Sequence, residues 1–156
     1  STLKFPESLS ELLWPLNDRG LSFYAFINSG VPHVVLMNHD QWNRSDRLSV
    51  SPRIQREDYL QPQSTNVTWL SLSTMNCVTF ERGVNNETMA CGSGAIAAFL
   101  ALREYAKSQK DEPPQSVELN FPGGILKVEI DDQQRVWLSG PSQLKMLEET
   151  HECSKG

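Results

Sequence analysis

Thr88-Met89-Ala90-Cys91-Gly92-Ser93-Gly94-Ala95-Ile96-Ala97-Ala98-Phe99-Leu100-Ala101-Leu102 contains the longest apolar run of the chain. The residues from Gly92 to Ala106 suit a helix, and its first half, Ala95 to Leu102, is small and apolar on every side. A helix that is apolar all round must be wrapped by other structure. The wrapping is legible on both flanks. Upstream, Leu21 to Asn28 reads as a strand, Gly30 and Pro32 break it, and Val34 to Met37 resumes an extended apolar run. Asn66 to Ser73 and Asn76 to Arg82 read as two more strands. In the second, Cys77, Thr79 and Glu81 alternate with Val78, Phe80 and Arg82, the pattern of a half-buried strand. Downstream of Pro113-Pro114, strands are expected at Ser116 to Phe121, Ile125 to Ile130 and Arg135 to Ser139, the first two joined by Pro122-Gly123-Gly124. Between these, 38–50 reads as a polar loop, and Ser51-Pro52 offers an N-cap followed by proline at the first helical position, predicting a helix to about Tyr59. A short amphipathic helix is expected over 7–16, ended at Pro15, and a frayed polar tail over 148–156. About six to eight strands around one apolar helix make an α+β arrangement.

The 156 residues fit a single domain spanning 1–156, long enough to bury a core without disulfides or metals. A net charge of −5 argues against a general nucleic-acid binder and against adhesion to anionic membranes. The longest apolar run, Ala95 to Leu102, is far short of the roughly 18–20 residues that cross a bilayer. Ser1 to Ser10 has neither the basic flank nor the apolar core of a signal peptide, and the absence of a starting Met suggests a processed or trimmed piece. Cys77, Cys91 and Cys153 do not form a disulfide framework, and they make no metal-ligand spacing with His33, His39 and His151. No metal and no disulfide are expected, and a reducing, cytoplasmic setting is the simplest reading.

Cys91 stands where a turn hands over to the buried helix. The first amides of a helix are unpaired and carry partial positive charge, a field that favours thiolate. Gly92 and Gly94 remove side chains, so that a substrate carboxylate can approach the amides of 92–94. From these residues alone two readings stand: a reactive thiol beside an anion site, or a small buried Cys with two packing glycines.

Glu81-Arg82-Gly83-Val84-Asn85-Asn86-Glu87-Thr88-Met89-Ala90-Cys91-Gly92-Ser93-Gly94-Ala95 resembles the second cysteine motif of the diaminopimelate epimerases. Three weaker pieces match in the same order. Ser29-Gly30-Val31-Pro32-His33 is similar to the family's Gly-x-Pro-His segment, and Ser64-Thr65-Asn66-Val67 to its Thr-Asn-Val strand start. Phe121-Pro122-Gly123-Gly124 with Val136-Trp137-Leu138-Ser139-Gly140-Pro141 is similar to its closing hairpin. Proline racemases share the architecture, and the Glu-Arg-Gly-Val run favours the diaminopimelate branch. The resemblance implies a mixed β-roll or barrel around a central helix, present twice in the whole enzyme with the active site between the copies. It implies a cofactor-independent isomerase that interconverts LL- and meso-diaminopimelate for lysine and peptidoglycan precursors. One cysteine removes the α-proton and an opposed cysteine returns a proton to the other face, as inversion at carbon requires. By analogy Cys91 is one acid/base, and the amides of Gly92 and Ser93 hold the α-carboxylate. His33 and Glu81 tune the thiols or orient the substrate, and Asn66 and Arg82 grip the distal end, a guanidinium suiting a carboxylate. The residues themselves also allow His33 to cap a turn, Glu81 and Arg82 to be a solvated pair, and Asn66 to be a strand-start residue. Cys77 reads as structural, and Cys153, His39 and His151 as bystanders.

Two positions depart from the pattern: Val31 stands where many members carry Asn, and Ser93 where Thr is usual. Val31 removes a polar contact near the distal end of the substrate, which keeps a broader amino-acid racemase open. The family's first Cys-Gly motif has no counterpart, since neither Cys77 nor Cys153 is followed by glycine. The chain therefore resembles the C-terminal half of an epimerase, inactive by itself. A non-catalytic binding domain is the third reading. The expected partners are a small-molecule amino acid, the missing N-terminal half and, as a further candidate, a second copy in a homodimer. An exposed patch around Cys91, His33 and Arg82 is expected where the missing half docks.

Overall fold

The computed structural model describes residues 2–3, 21–40, 42–84, 86–140 and 144–146. Six strands form one sheet in chain order: β1 (Thr2–Leu3), β2 (Leu21–Asn28), β3 (Pro32–Asn38), β4 (Asn66–Ser71), β5 (Cys77–Phe80) and β6 (Glu87–Thr88). Neighbours run antiparallel except β3 and β4, which are parallel with His33 opposite Asn66. The crossover between those two contains helix α1 (Arg44–Gln55) and a 3-10 turn at Asp58–Leu60. A second sheet is an antiparallel meander of β7 (Ser116–Phe121), β8 (Gly124–Ile130), β9 (Val136–Ser139) and β10 (Leu144–Met146). Helix α2 (Gly92–Ser108) lies between the sheets. The expected α+β roll around a central helix is present, built from two sheets. Among the described residues they meet at one bridge, Asn76 to Asn120, and do not close into a barrel.

The strand alternation explains this arrangement. Ala25 and Ile27 of β2, Val35 and Met37 of β3, Leu70 of β4 and Cys77 of β5 point to one face and pack on α2. On the other side of α2 lie Leu119, Phe121, Val128 and Val136 of the second sheet. The opposite face of the first sheet carries Val34, Leu36, Val67, Trp69 and Phe80, covered by Trp42, Val50 and Ile54 on and beside α1. A sheet covered on both faces needs apolar residues at nearly every position. All six residues of β4 are buried, and β5 is covered on both sides where one open side was expected.

The region 38–55 differs from its sequence reading. The expected loop at 38–50 gives way to the end of β3 at Asn38 and to α1 from Arg44. The N-cap is Asn43, whose Oδ1 accepts the Asp46 amide at 2.8 Å, rather than Ser51. Ser51 lies inside the helix, buried, and its hydroxyl accepts the Trp69 indole N–H at 2.9 Å. Pro52 sits in the helix interior, and the helix stops at Gln55 instead of reaching Tyr59. A buried indole N–H needs an acceptor, and seating Ser51 in the helix supplies one. The additional strands β1, β6 and β10 are only two or three residues long. The helix expected over 7–16, the tail at 148–156, and Cys153 and His151 lie outside the described residues. Among the described residues, no helix is long and apolar enough to cross a membrane.

At Gly94 α2 lies tight against the first sheet: a Cβ there would lie 2.2 Å from Thr79 Oγ1 and 3.3 Å from Cys91 Sγ. In an open helix, Gly to Ala gains up to about 1 kcal/mol of helix propensity. Here the overlap, typically worth about 1–3 kcal/mol when a core is overpacked, outweighs it. Gly94→Ala is expected to lower the urea midpoint, and Thr79→Ala in the same chain to return part of the loss. A single variant as stable as the parent would contradict the contact.

Candidate active site

The first turn of α2 holds the candidate site. Cys91 is its N-cap, in extended conformation (φ −141°, ψ 111°), and its Sγ accepts the Gly94 amide at 3.3 Å. The Ala95 amide bonds to the Cys91 carbonyl at 2.9 Å. The amides of Gly92 and Ser93 make no bond within the helix, as the geometry of a helix start dictates. Gly92 packs against β9: a Cβ there would be 2.9 Å from Leu138 Cδ2.

Two connections hold the loop that delivers Cys91. The Arg47 guanidinium of α1 forms an ion pair with the Glu87 carboxylate and also donates to the Trp42 carbonyl. Arg44 adds an exposed contact to Asn86 at 3.4 Å. At Met89, the backbone carbonyl accepts the Gly123 amide at 2.6 Å, so the β7–β8 hairpin grips the loop two residues before Cys91. A Cβ on Gly123 would meet that carbonyl oxygen at 2.9 Å, so the position requires glycine.

Beneath the helix start, the α2-facing side of the first sheet carries a row of polar side chains. His33 of β3 is fully buried. Its Nδ1 lies 3.0 Å from Thr68 Oγ1, and its Nε2 lies 3.2 Å from Ser93 Oγ and 3.4 Å from Asn66 Nδ2. Ser93 Oγ is also 3.4 Å from Cys91 Sγ. Thr68 Oγ1 continues the row to Thr79 Oγ1 at 2.9 Å. Asn66 Oδ1 accepts the Arg82 amide at 2.8 Å, and the Ser29 hydroxyl donates to the Ser93 carbonyl at 3.0 Å. Burial, with the Arg82 charge as a second cause, holds the His33 pKa down to about 3, so the ring is neutral near pH 7.

The structure thus brings together five of the seven residues expected at the site: His33, Asn66, Cys91, Ser93 and, through its backbone, Arg82. Gly92 adjoins them at the helix start. The Arg82 side chain is exposed and donates to the Gln63 carbonyl at 2.7 Å. The Glu81 carboxylate is half-buried and makes no hydrogen bond among the described residues, so it is not paired with Arg82. The expected exposed patch holds for Arg82 alone. Cys91 is 7% exposed and His33 is fully buried, with Ser93 of α2 lying against its Nε2. Cys77 is fully buried, and burial, then its proximity to Cys91, pushes its thiol pKa well above the usual range. Thr68, Thr79, Ser29 and the Arg47–Glu87 pair join the site without any role expected from the sequence. Thr68 lies between Val67 and Trp69 in a strand that also carries Asn66 and Ser71, so no local feature marks its role. Among the described residues, no group of three or more His, Cys, Asp or Glu side chains could hold a metal ion.

The neutral, buried His33 has a consequence for stability. Below its ordinary value of 6.5 the ring binds a proton in the unfolded chain, whereas in the folded chain it does so only near 3. The folded state therefore loses stability as pH falls through that window and keeps it above. The urea midpoint is expected to fall between pH 7 and 5, with a shallower slope in His33→Gln. Equal slopes would refute a neutral buried ring.

A family model described as diaminopimelate epimerase matches residues 25–145. The diaminopimelate epimerase of Aquifex aeolicus is 35% identical over 120 residues, covering 74% of this chain and 42% of the relative. That of Chlorobaculum tepidum is 39% identical over 124 residues (76% and 46%), and that of Xanthomonas euvesicatoria pv. vesicatoria 31% identical over 144 (88% and 47%). The chain spans less than half the length of each of these relatives. Among solved structures, a phenazine biosynthesis protein of the PhzF family from Bacillus anthracis superposes with a TM-score of 0.51 at 17% identity, covering 73% of this chain and 36% of that one, a likeness of fold alone. Matched over most of its length, with the cysteine motif at the start of its central helix, the chain belongs to the diaminopimelate epimerase family.

Proposed function

We propose that this chain supplies one of the two cysteine acid/bases of an isomerase that interconverts LL- and meso-diaminopimelate without a cofactor. The observation that carries the reading is the position of Cys91. Its thiol caps a buried helix, accepts the Gly94 amide, and stands beside the two free amides of Gly92 and Ser93. Those amides and the helix field suit the substrate α-carboxylate and the charge that develops at the α-carbon. In one direction the Cys91 thiolate takes the α-proton: the C–H bond breaks, an S–H bond forms, and the electron pair stays on carbon. A thiol on the opposite face then gives its proton to that carbon. Among the described residues no second thiol takes that place, since Cys77 is sealed in the core. The opposing half of the site belongs to a partner domain, and the chain alone does not invert its substrate. Arg82, exposed at the edge of the site, suits the distal carboxylate. Glu81 beside it orients the substrate. The polar contact missing at Val31 favours a second reading, a racemase of the same architecture that accepts simpler amino acids. The reading places the enzyme in the cytoplasm, supplying lysine and cell-wall precursors.

Two measurements test this. In D2O, the purified 156-residue chain is expected to give no stereochemical inversion of diaminopimelate, and robust inversion by it would defeat the two-half reading. In the presence of the opposing half, Cys91→Ala is expected to lose activity by at least ~10²-fold, the scale of removing a general acid or base. Retained activity would move the chemistry away from Cys91. A substrate panel in the same assay separates the racemase: comparable turnover of glutamate favours it.

A further inference from the structure

The directions of the hydrogen bonds around His33 are fixed by one unambiguous donor. The Arg82 amide can only donate, and its acceptor is Asn66 Oδ1 at 2.8 Å. The other end of that side chain, the NH2 group, therefore faces His33 Nε2 at 3.4 Å, and an NH2 group only donates. Nε2 is thus an acceptor, and the proton of the neutral ring sits on Nδ1. From Nδ1 it is donated to Thr68 Oγ1 at 3.0 Å, which leaves the Thr68 hydroxyl to donate to Thr79 Oγ1 at 2.9 Å. On the opposite side of the ring, Ser93 Oγ stands between Nε2 at 3.2 Å and Cys91 Sγ at 3.4 Å. With a single hydrogen it can donate to one of them at a time.

We propose that the Ser93 hydroxyl is a two-position donor, serving His33 Nε2 when Cys91 is a thiol and Cys91 Sγ when it is a thiolate, with Thr68 as the positioning residue that holds His33 in the Nδ1–H tautomer. In the thiol state, S–H donates to Ser93 Oγ and Ser93 O–H donates to Nε2. When the S–H bond breaks and the proton leaves to substrate carbon or solvent, the hydroxyl turns to Sγ, which then accepts from both Ser93 and Gly94. Nε2 is not left bare, because the Asn66 NH2 stays within reach. His33 does not take the thiol proton, since its burial and the Arg82 charge disfavour an imidazolium. Were the ring in the other tautomer, Nε2–H would point at the Asn66 NH2, two donors facing each other, and would occupy the Ser93 oxygen. The titratable groups that bear on the relay are His33 from β3, Cys77 from β5 and Arg82 after β5.

This inference rests on Cys91 being the reactive thiol, and two readouts separate the claims. The first is the nitrogen-15 NMR spectrum of the imidazoles in the full chain, with His33 assigned by its loss in His33→Gln. An Nδ1–H ring unchanged from pH 8 to 5 is expected, and an Nε2–H ring, or one titrating in that range, overturns the proposal without touching the role of Cys91. The second is the pH profile of Cys91 alkylation by iodoacetamide, followed by mass spectrometry of its peptide. Ser93→Ala is expected to move the profile to higher pH, slowing the reaction about tenfold near neutrality, the scale of one hydrogen bond to a charged group. Thr68→Val is expected to move it the same way with a mixed His33 tautomer, and Thr68→Ser to restore both. A profile unchanged by Ser93→Ala overturns the switch. If Thr68→Val does not fold, Ser93→Ala and the parent tautomer still decide. Full catalytic activity in Cys91→Ala with an Nδ1–H ring would instead sink the functional reading and leave the tautomer assignment standing.

Discussion

The structure turns on the contact between the first turn of α2 and the first sheet at Thr79. Only a residue without Cβ allows it, and Gly94 occupies the position. Because the helix can descend there, Cys91 caps it from a buried position and Ser93 comes within reach of His33. A helix held even one methyl group further out would lengthen the contacts from Ser93 to both His33 and Cys91. Packing density at one glycine therefore sets the geometry of the thiol.

Around that contact the protein keeps polar groups in a core that is otherwise apolar. An unpaired hydroxyl or imidazole there would cost several kcal/mol, about 1–3 for each missing bond. The cost is avoided by closing the row: His33, Thr68, Thr79, Asn66 and Ser93 all find partners among themselves or in the backbone. These partners come together only when β3, β4 and β5 pair in this register, so the network favours that arrangement of the strands. The opposite face of the same sheet shows the contrast. There Trp42 and Trp69 pack edge to face at 5.2 Å over Val67 and Phe80, and the indole–Ser51 bond is a polar contact with α1.

Much of this was readable from the residues, and the failures share a cause. The all-apolar run from Ala95 to Leu102 announced a wrapped helix, and the strands at 21–28, 116–121 and 125–130 followed from alternation and from Gly and Pro breaks. The start of α1 was misplaced because Ser51-Pro52 is a strong local signal, while the reason to place Ser51 mid-helix is the indole of Trp69, 18 residues away. Cys91 and Ser93 were legible because the helix start is a local feature. Thr68 and Thr79 were not, since their roles exist only once β4 and β5 are in register. Glu87 likewise reads as one polar residue in a turn until Arg47, 40 residues earlier, comes to lie against it.

Register is the constraint that joins fold and site. Side chains alternate along a strand, so a slip of one residue between β3 and β4 would exchange the two faces of β4. Thr68 and Asn66 would then turn toward the indoles beside α1, and Val67 and Trp69 would turn onto His33. Both faces would fail at once, one gaining unpaired polar groups and the other gaining bulk where Gly94 must pass. The same selection for a well-packed sheet therefore also aligns His33, Asn66 and Thr68 beneath Cys91. The polar row needs no separate stabilising device, because the pairing that buries Trp69 on one side positions that row on the other.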